Sequence, residues 1–309
     1  MDFSIASSYT RIRSIVDSTS NDALPSIANI QNAIAKLPQS LPKQGLGDAA
    51  TEAHILSDLT PGFNGSKTSA NYYGFVTGGV LPIAEVADNI VTAFDQNTAV
   101  HLPAQGVSTT VEVKALSMLV ELLNLGNGWE GKTFTTGATG ANILGLACGR
   151  ESVLTSRLNG ASVAELGLLT ACVMAGVREI QVLTTMGHSS LYKAASVVGL
   201  GRASVKDIPV SKDEPWRIDL NALEKSLNQV NNGILSVVAL SAGEVNTGKF
   251  AIDGLSTMQK IRALCDKYGA WLHVDGGISF LFRYKHIADS LQLSVSSLVR
   301  CQKLLSLPA

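Results

Sequence analysis

Asp275, in Trp271-Leu-His-Val-Asp-Gly-Gly277, stands where an acid does chemistry, at the end of a short apolar run and ahead of two glycines. Ala270 to Val274 reads as a buried strand, and open α/β sheets bind ligands outside the carboxyl ends of their strands. The glycines let the backbone turn and approach a ligand closely. Asp is also a common turn and cap residue, so the pattern alone leaves a capping role open. Three other segments have the same form. Thr135-Thr-Gly-Ala-Thr-Gly-Ala-Asn142 joins a predicted strand to a predicted helix. Its small residues and the helix start suit an anion, and Thr139 adds a hydroxyl. It is neither a P-loop nor a GxGxxG fingerprint, and an ordinary strand–helix turn is the alternative. His188, in Met186-Gly-His-Ser-Ser190, also lies between a predicted strand and helix. The alternative there is a structural histidine, with Ser189 or Ser190 as the N-cap. Ser241-Ala-Gly-Glu-Val-Asn-Thr-Gly248 ends a further apolar run. Independent turns explain any one of the four; convergence on one crevice is what a cofactor site needs.

The elements that must position these residues alternate from about residue 130. Strands are expected at 132–136, 180–184, 204–208, 235–241 and 270–274, and helices at 141–156, 189–198, 220–229 and 255–268. Strands alternating with helices of this length predict an α/β fold of right-handed βαβ units and a mostly parallel sheet. Before them, Ile12, Ile15 and Val16, then Ile27, Ile30, Ile34 and Leu37, predict two or three short helices within residues 1–60. An aromatic and glycine-rich segment, Asn71 to Gly79, precedes a helix near 82–94, and Thr109-x-x-Glu112 has the form of a capping box opening another. The order fades after Phe280.

With 309 residues, 46% hydrophobic and 16% charged, the chain has material for a sizeable core in one or two domains. A net charge of −1 with no basic run gives no sign of nucleic acid. Cys148, Cys172, Cys265 and Cys301 form no CxxC pair, which argues against a metal site or a disulfide framework and for a reducing compartment. The N-terminus lacks a signal-peptide apolar block, and the longest apolar stretch, 166–177, is too short to span a bilayer. These features predict a cytoplasmic protein without membrane contact.

Taken in order, the segments resemble the pyridoxal-phosphate (PLP) dependent group II decarboxylases, the glutamate and aromatic amino acid decarboxylase superfamily, in its fungal and microbial branch. The likeness runs from about Asn71 to Asp275 and includes Asp95-Gln96-Asn97. It implies a fold-type-I large domain over 71–309, a helical segment over 1–70, PLP as cofactor, an amino acid substrate and a homodimer. It implies Ala138 and Thr139 at the PLP phosphate and His188 stacked on the pyridine ring. Asn246 would lie in the strand-end segment under the cofactor, and Asp275 would pair with the ring nitrogen. Other fold-type-I enzymes, an aminotransferase or a sphingosine-phosphate-lyase relative, share these features, and an inactive fragment is a third reading.

The family also needs a lysine that holds PLP as a Schiff base. The candidate is Lys303, in Gln302-Lys-Leu-Leu-Ser-Leu-Pro308; Lys285 comes too soon after the strand. The family motif has histidine where this chain has Gln302 and Asp-Gly where it has Arg300-Cys301. The resemblance further implies that the family's C-terminal small domain is missing, as in a truncated chain.

Overall fold

The computed structural model describes residues 3–74, 79–123 and 125–277. The chain divides into two compact units, 1–97 and 98–309. In the first, the helices expected before residue 60 are α1 (Ile5–Ser18), α2 (Ile27–Lys36) and α3 (Asp48–Ala53); α4 (Pro82–Ala93) follows. Ser26 caps α2 by accepting the Asn29 N–H at 3.1 Å, and Arg11 ties α1 to α3 through the Glu52 carboxylate at 2.7 and 2.5 Å.

The second unit opens with α5 (Ser108–Leu122), α6 (Ala138–Thr155), α7 (Val163–Leu166) and α8 (Leu168–Met174). Then come β1 (Glu179–Thr184), α9 (Ser189–Val197), β2 (Val205–Asp207), α10 (Leu220–Leu227), β3 (Ile234–Ser241), α11 (Leu255–Tyr268) and β4 (Trp271–Asp275). The strands pair in the order β2-β1-β3-β4, all parallel. The chain runs from β1 outward to β2, then crosses back to β3 on the other side. That makes the β1/β3 boundary the switch point at which such sheets open a crevice.

Two expectations are corrected. Residues 132–136 form no strand. Their alternation is brief and Phe134 is 53% exposed, so no burial compensates for ordering them. Helix α5 begins at Ser108 with Val107 as a helical, uncapped N-cap. Thr109 therefore lies inside the first turn, where it pairs with His101 Nδ1 at 2.7 Å instead of capping. A capping box needs an extended N-cap residue; Ser162 and Glu165 supply one at the start of α7.

Both faces of the sheet are covered. On β3, Leu235, Val237 and Ala239 join the core under α6, α8 and α9, while Val238 and Leu240 join the core under α10 and α11. This period-2 division is why the strand reads as a continuous apolar run.

Strand β4 is less uniform. Leu272 and Val274 face the α10/α11 core, but the alternate residues Trp271, His273 and Asp275 face α6. They meet a line of residues at helical spacing. A Cβ on Gly149 would come within 2.8 Å of the Trp271 ring, and one on Gly145 within 2.5 Å of the His273 ring. Asn142 bonds Asp275, and Ala138 lies against Gly277. Steps of four, three and four residues keep one helix face on alternate residues of a strand.

Gly145→Ala must therefore displace the His273 imidazole, and the expected cost is about 1–3 kcal/mol in urea unfolding. Leu144→Ala, at a 46%-exposed position on the same helix, is expected to stay within about 0.5 kcal/mol of the parent. Equal costs for the two would refute the close approach.

Candidate active site

The crevice at the carboxyl ends of the strands is lined from four directions. Helix α6 supplies Ala138, and the turn after β1 supplies Met186, His188 and Ser190. The end of β3 supplies Ser241, Gly243, Glu244 and Val245, and β4 supplies Asp275 and Gly277. The four segments marked out in the sequence thus share one pocket.

Asp275 is held from two sides. Its Oδ2 accepts from Asn142 Nδ2 at 2.9 Å and its Oδ1 from the Gly277 N–H at 3.1 Å. Hydrogen bonds to an ionised carboxylate contribute about 1.5–3 kcal/mol each. Asn142 is 2% exposed, and a buried amide needs its donors and acceptor satisfied. Its second Nδ2 proton goes to Ser190 Oγ at 3.0 Å, and its Oδ1 accepts from His273 Nε2 at 2.7 Å. The His273 ring is packed under α6 at Gly145. Burial pushes its basicity below the usual histidine range, against the opposite pull of the Asp275 charge.

His188 is itself the N-cap of α9, in place of Ser189 or Ser190. Its Nδ1 accepts the Ser190 N–H at 3.2 Å and lies 2.8 Å from Ser190 Oγ. His188 is otherwise exposed and lines the pocket. Met186 precedes it at φ 44°, a left-handed conformation that costs a non-glycine residue energy and is found at sites where a turn must deliver a side chain.

Glu244 is 4% exposed. Burial raises its carboxyl, but hydrogen bonds from Thr247 and Asn246 together outweigh that and leave it below the ordinary range. Asn246 donates to it from its backbone at 2.9 Å and from Nδ2 at 3.1 Å. Asn246 is exposed and turned toward Glu244, and its neighbours Glu244 and Val245 are the residues that line the pocket. At the start of α6, Gly137 has φ 106° and no side chain caps the helix. The first-turn N–H groups of an α-helix have no intrahelical partner. Those of α6 are the donors beside Ala138 and the exposed Thr139. Lys303, Lys285 and Phe75 to Gly78 lie outside the described residues.

A model of the pyridoxal-dependent decarboxylase conserved domain matches residues 58–301. The chain belongs to this family. Its relatives include the L-2,4-diaminobutyrate decarboxylase of Acinetobacter baumannii, 27% identical over 70% of this chain and 42% of that protein. They also include tryptophan decarboxylase 1 of Oryza sativa subsp. japonica, 22% identical over 88% of this chain and 53% of that protein. The crystal structure of Oryza sativa TDC with PLP and tryptamine has the same fold, with a TM-score of 0.71 over 93% of this chain and 60% of that one, at 20% identity. The chain spans about half the length of the curated relatives it matches. The fold expected from the motifs, a mostly parallel sheet flanked by helices as in PLP decarboxylases, is therefore the fold found.

Asn142 and Ser190 are the site residues that sequence reasoning passed over. The available signal for Asn142 was its position four residues after Ala138 and three before Gly145, a polar residue in a line that a helix turns toward the sheet. Among the described residues, no three His, Cys, Asp or Glu side chains group as a metal site, and no helix is long and apolar enough to cross a membrane.

His273, half-buried with its ring packed under α6, gives the site a pH signature. The folded value lies below the ordinary 6.5, so between the two the unfolded chain holds the extra proton and stability rises with pH. The contribution is complete above 6.5 and is lost as pH falls toward the folded value. Urea unfolding is expected to show this loss in the parent and a shallower slope in His273→Gln; identical slopes would rule the assignment out.

Proposed function

We propose that this chain is the cofactor-binding part of an enzyme that decarboxylates an amino acid with pyridoxal 5′-phosphate, acting as a homodimer in the cytoplasm. The observation that carries this reading is the shared pocket. An acid, an imidazole and an uncapped helix start line it together, within the segment that matches the family. The match with a decarboxylase domain favours this reading over the aminotransferase and sphingosine-phosphate-lyase alternatives. The relatives' names include diaminobutyrate and tryptophan decarboxylases, so the proposed substrate is an α-amino acid with no side chain specified.

The residues present fit the group. PLP has a phosphate dianion at one end and a basic ring nitrogen at the other. The uncapped α6 start offers N–H donors, and the Asp275 carboxylate is oriented by Asn142 and Gly277. When bound, PLP supplies an electron sink for the charge left by loss of carbon dioxide. The Ala138 and Thr139 N–H groups and the Thr139 hydroxyl would donate to the phosphate, favoured by the partial positive charge of the helix start. Asp275 would hold a proton on the ring nitrogen, since an adjacent negative charge favours the protonated base. His188, which lines the same pocket, would pack against the ring of the bound cofactor. Asn246 acts through the Glu244 loop, keeping Glu244 and Val245 at the pocket wall. Lys303 is the proposed covalent anchor.

PLP added to the purified chain is expected to acquire a protein-bound visible absorption band. Borohydride reduction and peptide mapping should then place the pyridoxyl group on Lys303. Without any band the cofactor assignment fails; a band that persists in Lys303→Ala removes only that lysine. Carbon dioxide release from a panel of amino acids, compared with transamination of a keto acid, decides the reaction. Asp275→Ala is expected to weaken PLP binding about ten- to a hundredfold, as for loss of one charged hydrogen bond, and to reduce turnover more severely than that.

A further inference from the structure

We propose that Asn142 and Ser190 are positioning residues: a one-way run of hydrogen bonds from Asn142 through Ser190 links the Asp275 side of the pocket to His188 and holds the His188 ring with its proton on Nε2. The inference rests on the cofactor reading for its purpose, but the hydrogen-bond directions stand without it.

Each direction follows from a group that has no choice. The Ser190 backbone N–H can only donate, and it donates to His188 Nδ1 at 3.2 Å, so that nitrogen carries no proton. The Ser190 hydroxyl, 2.8 Å from the same nitrogen, must then donate to it as well. Its oxygen is thereby left to accept, and Asn142 Nδ2 donates to it at 3.0 Å. At the other end Asp275 Oδ2 accepts from the Asn142 NH₂, which leaves the Asn142 carbonyl toward His273. His273 Nε2 must accordingly carry a proton to make its 2.7 Å bond. No member of the run reverses alone. Asn142 and Ser190 are both 2% exposed, so water does not substitute for either partner.

The consequence is specific. With Nδ1 held by two donors, the His188 ring is fixed in plane and in tautomer, with Nε2–H on its other edge. Asn142 uses one NH₂ group to orient the acid and, through Ser190, the imidazole. Loss of the Ser190 hydroxyl bond to His188 should therefore follow from removing that hydroxyl, or from replacing the Asn142 donor with an acceptor that competes for its proton.

The test needs no cofactor. In the full chain carrying ¹⁵N-labelled histidine, the His188 resonances are assigned by their loss in His188→Gln. The parent is expected to show an unprotonated Nδ1 and a protonated Nε2. In Ser190→Ala the Nδ1 resonance is expected to move toward that of a less strongly bonded ring nitrogen. Asn142→Asp, whose carboxylate takes the Ser190 hydroxyl for itself, should move it the same way. The double variant should shift no further than Ser190→Ala alone, because the Asn142 effect passes through the hydroxyl. A proton on Nδ1 in the parent, an unmoved resonance in Ser190→Ala, or fully additive shifts would overturn the proposal. Should Asn142→Asp not fold, Asn142→Ala takes its place: losing the donor to the Ser190 oxygen weakens the hydroxyl's bond to Nδ1 and should move the resonance the same way by less, and an unmoved resonance would overturn the Asn142 role. Failure of the chain to bind PLP would count against the proposed function and leave these nitrogen shifts as they are.

Discussion

The close lie of α6 along β4 is the constraint on which the pocket depends. Two glycines, Gly145 and Gly149, leave room for the rings of His273 and Trp271, so the helix approaches the strand more nearly than larger residues would permit. Only at that separation does Asn142 reach Asp275 at 2.9 Å and Ser190 at 3.0 Å. The same alignment runs the helix antiparallel to the strand and delivers its uncapped start beside Gly277, at the strand's carboxyl end. Packing and chemistry are therefore one arrangement. The small residues that let the layers approach also bring a helix start and an acid to one crevice.

A polar stripe between two layers is expensive unless every member is satisfied. Asn142 spends both amide protons and its carbonyl on Asp275, Ser190 and His273. Glu244, buried at the end of β3, is satisfied by its own loop. The acids at the pocket thus differ in kind. Glu244 is turned back to hold a turn together, whereas Asp275 is oriented by neighbours and lines the cavity. That difference favours Asp275 as the group that meets a ligand.

Much of the architecture was legible in the residues themselves. Strands β1, β3 and β4 are apolar runs bounded by turn residues, and α11 was expected over the range it occupies, because burial on both faces of a parallel sheet leaves a plain apolar signature. Legibility failed where the signal was short or local. Residues 132–136 alternate for too few positions and bury too little to form a strand, and Thr109 has the right neighbours for a cap but the wrong backbone. Asp275, His188 and Ala138 were marked out as site residues by their places at strand ends and a helix start. Asn246 was marked out too, but faces Glu244 while its neighbours line the pocket.

The amino-acid order alone determined the α/β class, the four segments that meet at the pocket and, through their combined motifs, the family. It did so because periodicity, turn chemistry and motif spacing are local properties of the chain. The tertiary structure decided which alternate residues of β4 face α6, and that Asn142, 133 positions from Asp275, is its partner. It also decided that His188 rather than a serine caps α9. Those outcomes depend on helix-to-strand separation and on which donors remain once layers close, and neither is encoded in any single stretch of sequence.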